Sequence, residues 1–331
     1  MDLARVHIIG TGGTIAMGAS AAGGVVPSMS AEDLIRAVPG LAQAAQITAA
    51  QLQQVAGSSL SFDDLLAAAV EARRQIAAGA DGIVVTQGTD TIEEIAFGLD
   101  LLVPGDAPVV VTGAMRNPTL PGADGPANLL AAVQTAASPQ ARGLGALVAF
   151  NDEIHAARFV QKTHSQSPST FRSRLTGPIG WVAEGRVHIA LRPVGRQHVE
   201  IPAGAPYQPV ALVTLALGDD GRLLGALAGL GFRGAVIEAL GGGHAPYWLA
   251  DALGQLAAEM PVVMASRTGA GQVLEHTYGF PGGESDLIAR GLIPAGYLDG
   301  AKARVLLSLL LRAGAGRDEI VAAFATWREP Q

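Results

Sequence analysis

The stretch Val6-His7-Ile8-Ile9-Gly10-Thr11-Gly12-Gly13-Thr14-Ile15-Ala16 decides how this chain is read. Its hydrophobics do not alternate with polar residues, the pattern of a strand buried on both faces of a parallel sheet. Gly12 and Gly13 then let backbone amides approach a ligand with no Cβ in the way. Open α/β sheets bind ligands at the carboxyl ends of their strands, which makes Thr14 the first candidate for a reacting hydroxyl. A threonine that only caps the following turn fits the same residues, and this stretch alone leaves both readings open.

The same architecture returns further on. In Gly82-Ile83-Val84-Val85-Thr86-Gln87-Gly88-Thr89-Asp90-Thr91 a buried strand again meets glycine, then hydroxyls, then a helix. Glu93 and Glu94 fall in the first turn of that helix, where the positive end of its dipole favours them. Asp90 is well placed as a helix cap, and Thr89 as a proton acceptor or a holder of water. Pro108 to Arg116 is a third strand end. A helix begins near Asp124-Gly125, and Ala146-Leu147-Val148-Ala149-Phe150 is a fourth strand. Such regular alternation predicts a doubly wound, mostly parallel sheet with helices on both faces. Two strand ends presenting Gly and Thr in one sheet share a crevice.

Between these landmarks lie weaker signals. Met17 to Pro27 is small and aperiodic, suited to a lid beside a nucleophile or to a plain surface loop. Ser30 with Asp33 reads as a capping box, and Ser61 as the cap of the next helix. Ser58 and Ser59 before it are turn residues or ligand-binding hydroxyls. Asn151 to His164 suits a hairpin carrying Lys162, a solvated charge or, desolvated in a cleft, a base.

Residues 191–209 are rich in Pro and Gly and read as a linker between an N-terminal catalytic α/β domain, 1–190, and a smaller C-terminal α/β domain, 210–331. The second domain has strands near Val210–Leu215, Ala235–Leu240 and Pro261–Ala265, with helices at about 246–259, 299–313 and 317–328. The 331 residues, 49% hydrophobic and 15% charged, suffice for two cores. A net charge of -7 without a basic run argues against a nucleic-acid partner. The absence of cysteine excludes disulfides and a thiol nucleophile. His155 and His164 lack the companions of a metal site, so no metal is expected. No apolar run reaches ~18 residues, so no membrane span is expected. The first strand starts within five residues of Met1. That leaves no room for a secretory leader and predicts a cytoplasmic protein. A dinucleotide cofactor is not expected either, because Ile15 stands where the phosphate-binding fingerprint wants Gly or Ala.

Taken together, the motifs resemble the bacterial L-asparaginase/glutaminase family. The resemblance rests on Thr11-Gly12-Gly13-Thr14-Ile15-Ala16, Gly88-Thr89-Asp90-Thr91 with Glu93-Glu94, and Gly113-Ala114-Met115-Arg116. It continues in the same order through Asp124-Gly125-Pro126 with Asn128-Leu129, Lys162-Thr163, and Lys302-Ala303-Arg304-Val305-Leu306-Leu307. The family implies hydrolysis of a side-chain amide, of asparagine or also glutamine, through a threonine acyl-enzyme and without a cofactor. Thr14 matches its nucleophile, and Thr89 its second catalytic threonine, with Lys162 and Asp90 as partners. Backbone amides near Gly13 and Thr89 would face the oxyanion. Ser58 matches the contact to the substrate α-carboxylate and Asp90 a contact to its α-ammonium group, beside Ser59 and Gly88. The Ala114 carbonyl matches a contact to the leaving amide. The family also implies a homotetramer of two tight dimers, in which Glu284 of one subunit would reach into its neighbour's site.

Some residues depart from that pattern. Val25 stands where the family's flap usually carries a tyrosine, and valine cannot move a proton. Ser59 replaces a common glutamine, Gln87 a common histidine, and His244 lies near a usual asparagine. Tyr278, six residues before Glu284, is either a loop aromatic packed at the interface or the missing phenol supplied by the partner subunit. Two other functions suit the same chain: a binding or sensor protein on this fold without turnover, and an amidohydrolase of a different small amide.

Overall fold

A computed structural model describes residues 3–19 and 25–328, with the backbone alone at 19 and 25–27. The chain divides into two compact units, Met1–His198 and Val199–Gln331. In the first, β1 (Arg5–Gly12) leads through a short 3-10 turn, Thr14–Ala16, into the paired strands β2 (Met17–Ala19) and β3 (Val25–Pro27). Helices α1 (Ala31–Ala37) and α2 (Leu41–Ala44) connect to β4 (Gln46–Val55). Then follow α3 (Phe62–Ala77), β5 (Gly82–Thr86), α4 (Ile92–Leu102), β6 (Val109–Thr112), α5 (Gly125–Ala137) and β7 (Ala146–Phe150). Five short strands complete the unit: β8 (Glu153–Ala156), β9 (Val160–Lys162), β10 (Phe171–Ser173), β11 (Gly180–Ala183) and β12 (Arg186–Ile189).

Among the described residues the main sheet has eight strands in the order β12-β11-β8-β7-β6-β5-β1-β4. The five strands from β4 to β7 run parallel, and the rest antiparallel. Every residue of β5, β6 and β7 is buried, so both sheet faces are covered. Helices α3 and α4 pack on each other, as do α2 and α5. Within the parallel set, β1 came first in the chain, β4 was added on one side and β5 on the other. The carboxyl ends of β1 and β5 therefore flank the point where the winding reverses, and in such sheets the crevice lies there. Topology alone directs attention to Thr14 and Thr89.

The expected capping box of Ser30 with Asp33 is present, and the Ser61 cap is also a box, closed by Asp64. Asp90 does not cap: Gly88 occupies the N-cap of the Thr89–Thr91 3-10 turn, without a side-chain cap bond. Nor does Thr14, whose turn is capped by Gly13. The hairpin expected over 151–164 is divided. Asn151 and Asp152, at φ 52° and 62°, form a tight turn that reverses β7 into β8. β9 pairs instead with β10, setting Lys162 opposite Phe171.

The second unit is a parallel four-stranded sheet in sequential order: β13 (Val210–Thr214), β14 (Gly234–Ala239), β15 (Val262–Ser266) and β16 (Ile293–Pro294). It carries α6 (Arg222–Ala226), α7 (Ala250–Glu259), α8 (Glu284–Ala289), α9 (Gly300–Arg312) and α10 (Arg317–Ala325). Leu215, Ile237, Leu253, Met264 and Leu287 are part of its core.

Candidate active site

Glycine makes the crevice possible. Gly13 has φ 81°, and a Cβ built there would fall 2.0 Å from the Gly88 nitrogen. One on Gly57 would fall 2.6 Å from the Gly88 carbonyl oxygen. Three backbones thus meet with no side chain between them, and the residues that follow, Thr14, Ser58 and Thr89, are gathered around one spot. Further bonds fix the ends: the Thr11 hydroxyl donates to the Thr86 carbonyl at 3.1 Å, and the Gly13 N–H to the Val55 carbonyl at 2.9 Å. That second bond narrows which amide near Gly13 could face an oxyanion. The Gly13 amide is engaged and is not directed at an oxyanion. Thr14 and Thr89 open 3-10 turns, and helical bonding leaves the N–H of such first residues unused.

Lys162 reaches this crevice from β9. Its Nζ donates to the Thr89 Oγ1 at 3.0 Å and to the Asp90 carboxylate at 2.6 Å. The position of the lysine is itself held, because its backbone N–H donates to the Glu93 carboxylate at 2.8 Å. Thr89 is buried, whereas the Asp90 side chain is 59% exposed and the Lys162 side chain 15%. A hydroxyl, an amine and a carboxylate in one chain of contacts can move a proton between a buried atom and the open crevice. Thr14 is half-buried, and Ser58 and Ser59 are exposed beside it.

The Ala114 loop is fixed from behind. The Asp124 carboxylate accepts from the N–H groups of Met115 and Arg116 at 2.8–3.1 Å. Asn128 donates to the Gly113 carbonyl at 3.0 Å and accepts from the Asn151 N–H at 2.9 Å. Asp124 and Asn128 were legible as motif members, but not as the residues that fix Ala114. Val25 lies in β3 opposite Ala19; its side chain is outside the described residues.

In the second unit Glu284 stands at the start of α8, against the loop that carries Tyr278. It is fully buried, and its Oε1 accepts from the Thr277 and Tyr278 N–H groups at 2.8 and 2.7 Å. Burial opposes its charge, but those amides and His244, whose Nε2 lies 3.3 Å from Oε2, together hold its carboxyl below the usual range. Its Oε1 fixes the turn, while Oε2 is buried without a hydrogen bond among the described residues. Tyr278 is 43% exposed and meets the His244 ring edge-on at 4.9 Å, with Phe280 alongside. No group of three or more His, Asp or Glu side chains suited to a metal occurs among the described residues, and no helix is long and apolar enough to cross a membrane.

At the switch point of this doubly wound sheet two threonines, a lysine and an aspartate bring hydroxyl, amine and carboxylate groups to one crevice. Two family models match the chain: "Asparaginase, N-terminal" over residues 5–195, and "Glutaminase/Asparaginase C-terminal domain" over residues 209–324. The chain belongs to the L-asparaginase/glutaminase family and is an L-asparaginase-type amidohydrolase. It is 38% identical to a probable L-asparaginase of Deinococcus radiodurans over 98% of each chain. It is 34% identical to L-asparaginase 2 of Bacillus subtilis, over 94% of this chain and 83% of that one. The crystal structure of a probable cytoplasmic L-asparaginase from Campylobacter jejuni superimposes with a TM-score of 0.87 at 33% identity, covering 97% of this chain and 99% of that one.

Proposed function

We propose that the chain hydrolyses the side-chain amide of L-asparagine to aspartate and ammonia through an acyl-enzyme on Thr14, with L-glutamine as a further substrate. The observation that carries this is the Lys162 amine bonded to both Thr89 and Asp90, at 3.0 and 2.6 Å, from a strand more than 70 residues distant in sequence. Thr14 Oγ1 attacks the carboxamide carbon and its proton passes to the Thr89–Lys162 pair. The pair hands that proton to the nitrogen as the C–N bond breaks and ammonia leaves; water then attacks the ester carbon and gives a proton to the same pair, which returns it to Thr14 Oγ1 as the ester C–O bond breaks and aspartate is released. The Thr14 and Thr89 N–H groups are placed for the oxyanion. Ser58, aided by Ser59, takes the α-carboxylate, Asp90 the α-ammonium, and the Ala114 carbonyl the leaving amide. The names of the relatives support the substrate, and the description of the Campylobacter protein supports a cytoplasmic setting.

The working form is a homotetramer in which the C-terminal domain of one subunit completes a neighbour's site. In that assembly Glu284 contributes its carboxylate to the neighbour's site, and the exposed phenol of Tyr278 beside it stands in for the flap tyrosine replaced by Val25; the exposure of that phenol supports the reading. Ammonia release from L-asparagine, L-glutamine and their D-isomers tests the reading, together with mass detection of an acyl group on Thr14. The Thr14→Ala protein should show neither, and Thr14→Ser should retain both. No ammonia from any amide, with binding retained, refutes the enzyme. Unchanged turnover in Tyr278→Phe removes the cross-subunit phenol and leaves the Lys162 route.

A further inference from the structure

The turn that carries Ser58 and the turn that carries Thr89 are joined by a strut that the chemistry above does not use. Thr91 Oγ1 donates to the Gly57 carbonyl at 2.9 Å, across 34 residues. Gln87, fully buried, places its Nε2 3.3 Å from the Gly88 carbonyl and 3.4 Å from the Thr91 hydroxyl, two long contacts. Its Oε1 is buried without a hydrogen-bond partner in the described structure. Such an atom is costly and persists where the surroundings dictate the pose. Gly57 and Gly88 meet backbone to backbone at the same point: a Cβ on Gly88 would lie 2.4 Å from the Gly57 nitrogen. The gap between the two turns is therefore set by one side-chain bond and by the absence of two Cβ atoms.

We infer that Thr91, backed by Gln87, is a positioning residue that fixes the distance between the α-carboxylate contact on Ser58 and the Thr89–Lys162 pair, and so decides which amide chain length reacts. The inference rests on the functional reading above. Asparagine and glutamine carry the same α-carboxylate and the same carboxamide, one methylene apart. An enzyme gripping one end and reacting at the other separates them by that distance, and a methylene of mismatch changes discrimination by about 10–200-fold.

The test compares Thr91→Val, Thr91→Ser and Gly57→Ala by kcat/KM for asparagine and for glutamine, each reported as a ratio. Val keeps the shape and loses the bond; Ser keeps the bond; Ala at 57 pushes the turns apart with the Thr91 hydroxyl intact. The expected result is at least a fivefold fall in the asparagine-to-glutamine ratio for Thr91→Val and Gly57→Ala. It should be carried mainly by KM, and Thr91→Ser should lie within twofold of the parent. Equal losses on both substrates, or a Ser variant that resembles Val, overturn it. Should Thr91→Val fail to fold, Gly57→Ala alone decides. Should the parent release no ammonia from any amide, the functional reading falls separately. The strut is then judged by the same ratio measured as L-aspartate against L-glutamate binding by calorimetry.

Discussion

Replacing Lys162 with Met separates chemistry from architecture more cleanly than any other single change in this site. Methionine fills nearly the volume of the lysine stem, and the backbone N–H bond to Glu93 is unaffected by the side chain. The ion pair that is lost involves an Asp90 carboxylate 59% exposed to solvent, and exposed pairs contribute only about 0–1 kcal/mol. Asp90 is left hydrated, with no buried charge stranded. Thermal and urea unfolding should therefore shift little. Catalysis should respond far more strongly, because the Thr89 hydroxyl loses the amine 3.0 Å away. Loss of a positioned proton acceptor typically costs about 10²–10⁴-fold, or roughly 3–5 kcal/mol of transition-state stabilisation. Coupled-enzyme detection of ammonia, with rapid quench to follow acylation of Thr14, measures the two quantities separately. A variant that folds normally and keeps kcat within tenfold of the parent refutes the role of Lys162 in proton transfer. One that raises only KM reassigns the lysine to holding Asp90 for substrate binding.

Gly13→Ala should destabilise the N-terminal unit by at least about 2 kcal/mol, since its Cβ would collide with Gly88 backbone from a left-handed conformation; an unchanged urea midpoint contradicts the backbone contact. Asn128→Leu should cost about 2 kcal/mol, because it strands the Gly113 carbonyl and the Asn151 N–H that Asn128 now serves. It should also lower kcat through the Ala114 loop; full activity would show that this loop is held by other means. His155 is buried against Ser173, its Nδ1 3.0 Å from the hydroxyl. Burial first, and Arg172 second, push its pKa down to about 4. The unfolded chain then takes up the proton near pH 6.5 while the folded one refuses it until about pH 4. Stability is full above 6.5 and falls between these values, by on the order of 3 kcal/mol for this group. An NMR titration of His155 with an ordinary midpoint near 6.5 would remove the effect.

What could be read without coordinates was whatever the chain repeats or punctuates. Continuous apolar runs marked β1, β5, β6 and β7, the first three of them running into glycine, because strands buried on both faces carry no other pattern. The edge strand β4 was not legible. Gln46–Val55 alternates weakly and is half polar, since one of its sides meets solvent, and its role in placing Gly57 and Ser58 went unseen with it. The small hairpins were missed for a related reason: β11 and β12 are four residues each and turn at Glu184-Gly185, at φ 51° and 70°. Neither length nor hydrophobicity separates such strands from loop.

The site divides along the same line. Thr14, Thr89, Asp90 and Lys162 stood out by motif, and the first and second also by topology, because chemistry at a switch point needs hydroxyls and glycines together. The roles of the residues that hold the site did not, although Asn128 and Thr91 stood in the motifs, since a buried amide or a strut differs from any other polar residue only by what it touches. Glu284 is a different case. The resemblance marked it as a residue that would reach a neighbour, and within its own loop two backbone amides seven and six residues upstream hold Oε1 while Oε2 makes no hydrogen bond among the described residues. An exposed glutamate at that position would have to be desolvated by a partner each time the site assembled. A buried one is desolvated when the chain folds, fixes the loop through Oε1 and leaves Tyr278 at the surface.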